Sequence, residues 1–160
     1  MRAYNIEEVA DVRTIPRSRH NPQFNKETLE DSLKTADITY VHFPELGGLR
    51  HPHPDSINKG WRNLSFRGYA DYMQTDEFED GLEKLISLSK LRETVMMCAE
   101  SVPWRCHRSL IADALLIRKI QTIDILSKTS SRKYALTPWA KVRGKRITYP
   151  ENLAQATLPE

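Results

Sequence analysis

The residues best equipped for chemistry crowd into one short stretch, MCAESVPWRCHR, which carries Cys98, Glu100, Cys106, His107 and Arg108. A cysteine acts as nucleophile or soft-metal ligand once it has lost its proton, and a nearby imidazole can take that proton or share the metal. Three thiol chemistries are open. Cys98, a loop and Arg105 entering a helix have the layout of a cysteine phosphatase. Six residues separate the two, however, a longer loop than that class uses, and Pro103 removes an amide donor from any phosphate cradle. Cys98, Cys106 and His107, with a carboxylate, form a mixed donor set suited to zinc; against it stand the lack of paired-cysteine spacing and the awkwardness of aiming adjacent Cys106 and His107 at one ion. A redox pair of Cys98 and Cys106 lacks CxxC spacing, and the commonest fate of a thiol is plain burial.

The other reactive residues are dispersed: Asp11, Arg13, Glu45, Arg67 and Tyr69. In a parallel sheet Asp11, Arg13, Glu45, Cys98 and Glu100 all emerge at the carboxyl edge, where the following helix start offers unpaired amides and a partial positive charge. There Arg13, Arg67 and Arg108 can hold an anion while Glu45 or Glu100 performs acid/base work. Tyr69 would contact a base or sugar, and Asp11, Cys98, Cys106 and His107 complete the lining. The plainer reading makes Asp11 with Arg13, and Glu45 with Arg50, ion pairs that brace loops, with Tyr69 and Tyr72 anchoring a helix. No P-loop or GxGxxG is present, and Gly47-Gly48 alone implies a tight turn rather than nucleotide binding.

These side chains need elements to position them. Residues 6–12 read as a strand running into the proline-bearing loop RTIPRSRHNPQFN; Asn25 caps a helix carrying Leu29 and Leu33 that exits at Asp37; residues 38–43, ITYVHF, read as the next strand. Residues 50–65 are too rich in His, Pro, Asn and Gly for a long element and form a candidate lid. A helical segment over 67–73 is followed by a second helix capped by Thr75, whose Phe78, Leu82, Leu85 and Ile86 recur at helical spacing. A strand over 94–98, a helix over 106–120 and a strand over 122–126 make a β-α-β unit with a parallel crossover. Residues 136–139 suggest a short helix and 146–149 an edge strand.

The expected fold class is therefore α/β: a single domain over residues 1–150, a mostly parallel sheet flanked by helices in Rossmann-like layers, with 151–160 as a loosely ordered polar tail. A net charge of +3 permits anionic partners without demanding them. Two cysteines, no apolar run of membrane-spanning length and no leader-type start point to a reducing, cytoplasmic setting.

Five blocks in order, DVRTIPRSRHNPQF, YVHFPELGGLR, FRGYADYM, MCAESVPWRCHR and a late TYP, resemble the prokaryotic family known as domain of unknown function 488, over about residues 9–150. The resemblance implies a compact α/β domain with a shared polar site and leaves the reaction open. Members of that family usually begin with a TIGHS-type strand and a helix, whereas this chain opens with MRAYNIEEVADVR. The first β-α unit is therefore expected to be missing, through a late-assigned start or a real shortening that leaves a sheet edge free to drive homo-oligomerisation. The functional expectation is a small enzyme, a hydrolase such as one cleaving an N-glycosidic bond, acting on a phosphate-bearing nucleotide or nucleic-acid base. The alternative is a non-catalytic module for nucleic acid or a partner protein. No cofactor is required, zinc at Cys98, Cys106 and His107 being the lesser option.

Overall fold

Val9, Ala10 and Val12 lie in and just beyond a strand whose every residue is buried, and the sheet is built outward from it. The computed structural model describes residues 1–151. The buried strand is β1 (Glu8–Asp11); β2 (Thr39–His42) and β3 (Thr94–Met97) flank it, all parallel, in the order β2-β1-β3. Asp11 stands level with His42 on one side and Met97 on the other, so the three strands end together. Side chains alternate across the sheet. Val9 meets Leu29 and Leu33 of α1 (Lys26–Thr35). Ala10 and Val12 meet a larger core supplied by α2 (Leu64–Tyr72), α3 (Asp76–Ser89) and α4 (Arg108–Leu116). A central parallel strand covered on both faces is usually a nearly continuous apolar run; β1 departs from this, with buried Glu8 and Asp11 at its two ends.

Helix starts follow local chemistry. The Asn63 side chain accepts hydrogen bonds from the amides of Ser65 and Phe66, and Thr75 accepts one from Phe78, with Asp76, Glu77 and Glu79 complementing the dipole in the first turn of α3. Asn25 precedes α1 without capping it; its Oδ1 takes the Ser18 amide at 2.7 Å and ties down the preceding loop. The irregular residues 50–65 are likewise anchored rather than free to swing as a lid. Buried Asp71 accepts from the His53 amide, the Ser56 hydroxyl and the Asn58 amide group.

The C-terminal third departs from expectation. α4 is shorter than the expected span, and the chain turns through left-handed Lys119. β4 (Ile123–Ile125) then pairs antiparallel with β5 (Ser131–Lys133) and leaves β3 alone, so the expected parallel crossover is not completed. A three-residue strand with a charged centre gains little from a sheet that buries both faces unless that charge finds a partner, as Asp11 of β1 does in Arg13. The hairpin satisfies it instead, setting Asp124 opposite Arg132. Residues 136–139 form no helix, and 146–149 contribute not a sheet edge but β7 (Arg146–Thr148), which pairs with β6 (Lys141–Arg143) around Gly144 at φ 62°. The result is a mixed α/β domain, a three-stranded parallel sheet with four α-helices and two added antiparallel hairpins; Rossmann-like layering is not established by it. The expected tail lies outside the described residues except for Glu151, and no helix among those residues is long and apolar enough to cross a membrane.

Asp113 on α4 holds this C-terminal segment. Fully buried, it accepts from the Tyr134 and Tyr149 hydroxyls and the Thr137 amide, at 2.8 to 2.9 Å. Asp113→Ala would orphan two buried donors, the Thr137 amide and the Tyr149 hydroxyl, at roughly 1 kcal/mol or more each, while the Tyr134 hydroxyl keeps the Ser109 carbonyl as acceptor. It is expected to cost at least about 2 kcal/mol in urea unfolding; a loss under about 1 kcal/mol would show that the segment does not depend on this carboxylate.

Candidate functional site

Just beyond β1 the carbonyl of Val12 projects from the carboxyl end of the sheet, and the His107 Nε2 lies 2.9 Å from it. A carbonyl only accepts, so Nε2 carries the proton and donates, which leaves a lone pair on Nδ1. That Nδ1 stands 3.6 Å from the Cys106 sulfur and 3.9 Å from the Cys98 sulfur, and the three atoms all lie within 4.8 Å of one another. Adjacent Cys106 and His107 converge because their backbones differ. Cys106 is extended at φ −129°, ψ 147°, His107 is helical at φ −56°, ψ −14°, and the bend turns both side chains to one point. Cys98 arrives from the end of β3.

The imidazole is wedged from two further sides. The Tyr69 ring, wholly buried with its hydroxyl donating to the Leu46 carbonyl, lies 4.9 Å from the His107 ring centre. Gly48 passes so close that a Cβ there would overlap the imidazole, and one at Gly47 would lie 2.5 Å from the Thr14 hydroxyl. The chain bends at Gly48, where the Arg50 amide donates to the Gly48 carbonyl at 3.1 Å; neither glycine adopts a positive φ, and the pair also serves close approach.

Cys106 is held down to about 6, foremost by the neighbouring Cys98 thiol, against the upward push of burial, with a hydrogen bond from the Arg108 amide and the charge of its guanidinium assisting. Cys98 is pushed up to about 12 beside Cys106, with burial adding to the shift. Arg108 directs its Nε at the Cys106 sulfur, 3.3 Å away, and another guanidinium nitrogen donates to the Glu100 carbonyl.

These groups open onto a cavity of about 340 Å³ whose wall includes Cys98, Cys106, His107, Glu100, Arg105 and Phe66. Of the residues singled out in the sequence, Cys98, Glu100, Cys106 and His107 line it, and Arg108 reaches it through Cys106. The Glu100 carboxylate accepts from the Val102 amide and remains exposed. Asp11 and Arg13 bind each other instead: Asp11 takes three donors of Arg13, its amide, Nε and Nη2, together with the Tyr40 hydroxyl, and the remaining Arg13 nitrogen donates to the Phe24 carbonyl. Glu45 pairs with Lys84 at 2.9 Å, not with Arg50, which stacks 3.5 Å over the Tyr72 ring. Arg67 donates through Nε to the Trp61 carbonyl. Sequence reasoning weighed Arg105 only as the arginine of a phosphatase-type loop and left it out of the site, and it missed the Val12 carbonyl as the imidazole's anchor, which has no side-chain signature.

Residues 1–115 match the model of a protein family described as domain of unknown function DUF488. No curated protein and no solved structure matches the chain.

Two outcomes follow from this geometry. Gly48→Ala forces the His107 ring to move, an overpacking cost of about 1–3 kcal/mol in urea unfolding; a neutral substitution would show that the ring has room to spare. Burial works to raise the Asp11 carboxyl, but the hydrogen bonds from Arg13 and Tyr40 prevail and hold it below the usual range. Its contribution to stability is therefore complete above the unfolded value of about 3.9 and is lost as pH falls through the lower folded value. Asp11→Asn should be less stable than the parent at pH 7 and should lose less stability on going to pH 3; parallel pH profiles would remove Asp11 from the acid transition.

Proposed function

The chain belongs to the DUF488 family, whose function is unknown, and from the chemistry of its strand-end cavity we propose that it is a metal-dependent hydrolase. In this reading a zinc-class ion is held by Cys98, Cys106 and His107, a fourth position opens to the cavity, and the substrate is a small phosphate-bearing anion.

The observation that carries it is the tautomer of His107. A metal-binding histidine almost always donates its other ring N–H to a carbonyl, carboxylate or water, which fixes the ring and aims the free lone pair at the metal. Here Nε2 donates to Val12 and Nδ1 faces two sulfurs. Bonds of about 2.3 Å to sulfur and 2.0 Å to nitrogen around a tetrahedral ion set S···N separations of about 3.5 Å. The two present are 3.6 and 3.9 Å, while the sulfurs, within 4.8 Å of each other, need to stand about 3.8 Å apart, so binding asks for side-chain movements of up to about 1 Å. Thiolate and imidazole donors favour zinc over magnesium or calcium, and three protein ligands with one position left open are the pattern of catalytic rather than structural zinc.

Such an ion supplies Lewis acidity and a water that ionises near neutral pH. The chain's own residues do the rest. Glu100, exposed on the cavity wall, would serve as the proton acceptor for a water held there, and Arg105 gives the same wall a positive charge suited to an anionic substrate. Glycosidic cleavage by a carboxylate pair has less support, because Glu45 is turned to Lys84 and Glu100 stands without a second carboxylate in the cavity wall.

Protein purified under reducing conditions without chelators should hold about one zinc per chain by elemental analysis. Cobalt exchanged into the site should give the visible bands of a tetrahedral thiolate complex. Cys98→Ser and His107→Gln should each lower zinc affinity by at least about tenfold without unfolding the chain. Protein that binds neither zinc nor cobalt would overturn the proposal.

A further inference from the structure

Charge is divided unevenly along the chain. Residues 1–115 carry fifteen Lys and Arg against eighteen Asp and Glu, whereas residues 116–160 carry nine against three, giving −3 and +6. The part matched by the family model is thus mildly acidic and the segment that follows strongly basic. Such asymmetry between parts of a chain is a signature of polyanion binding.

The hairpin β4/β5 displays part of this charge beside the cavity. Lys128, Arg132 and Lys133 are all exposed on it. The Arg132 guanidinium lies 4.4 Å from the centre of the Trp104 ring, and Trp104 remains 53% exposed even so. Trp104 belongs to the single turn Pro103–Arg105, whose last residue is the exposed arginine of the cavity wall. Asp124 occupies only the Nε of Arg132, leaving its terminal nitrogens free for an anion. The half-exposed indole, with Arg132 against its ring and basic residues around it, leaves aromatic surface open to a ligand. It also has the parts of a platform for unpaired bases.

We propose that this surface binds single-stranded nucleic acid, with phosphates on Arg105, Lys128, Arg132 and Lys133 and a base stacked on the open face of Trp104. The strand would then cross the rim of the cavity. The inference rests on the charge and exposure of the hairpin and is independent of the metal centre. An acidic protein would satisfy the cations but offers no regular series of flat faces for Trp104, and a duplex keeps its bases stacked away from it.

The test is fluorescence anisotropy of a labelled twenty-nucleotide oligo-dT with the full chain. Neutralising about four phosphates of a single strand gives a log–log salt slope of about −2.8, so affinity should fall about 50-fold between 50 and 200 mM salt. Lys128→Glu combined with Arg132→Glu and Lys133→Glu should abolish binding. Trp104→Leu, which leaves the hairpin's charge intact, should weaken it about tenfold. Cys98→Ser should bind as the parent does, which separates this result from any failure of the metal proposal. Retained binding in the triple variant, a flat salt response, or equal competition by polyglutamate or by a duplex of the same length would overturn the inference.

Discussion

The hydrogen bond from His107 to the Val12 carbonyl joins the start of α4 to the end of the central strand, and the arrangement of the site depends on it. One bond of this kind contributes only about 1 kcal/mol to stability, but its geometric effect is larger. It fixes which ring nitrogen is protonated, and so which atom faces the sulfurs. The packing around it is consistent with that demand. Gly48 yields the space, Tyr69 closes one side, and the bend between Cys106 and His107 makes neighbours in sequence point to a common centre.

Three buried carboxylates support this arrangement from a distance. Asp11 holds Arg13 and Tyr40, Asp71 gathers the loop after the second strand, and Asp113 gathers the C-terminal segment. Each is surrounded by donors, which makes it tolerable in a core where an unpaired charge would be expelled. Their shared role is to turn irregular chain into fixed chain. The loops that carry Gly48 and the cavity wall keep their place because polar groups inside the core hold their backbones.

Much of this was legible beforehand, for identifiable reasons. The apolar spacing of Phe78, Leu82, Leu85 and Ile86, with Thr75 before it, marks α3 because periodicity and capping are local properties. β2 and β3 declared themselves as short runs with β-branched residues, β1 as a mixture of β-branched and small residues with two glutamates, and the family showed in its motif blocks. The mistaken crossover at β4 arose because a three-residue run with one charge reads alike as sheet strand or hairpin strand, and the choice rests on partners elsewhere. Glu45 could not be placed for a related reason: Lys84, its partner, lies on another helix far along the sequence. Cys98, Cys106 and His107 could be suspected together, yet their convergence depended on a backbone bend that spacing does not encode. Gly47-Gly48 looked like a turn because that is the commonest use of paired glycines; the chain does bend at Gly48, and the missing side chains also admit neighbours.

Because the imidazole's anchor is a main-chain oxygen, every amino acid brings it. Position 12 can drift among residues that fit the core, and the orientation of His107 passes unchanged from one variant to the next. Proline is the exception, since the amide of residue 12 also donates to the Met97 carbonyl and stitches the strand ends together. Mutational scanning should therefore find this position open to apolar residues of similar size, as its burial in the core demands, with no particular side chain required for the anchor itself, and closed to proline.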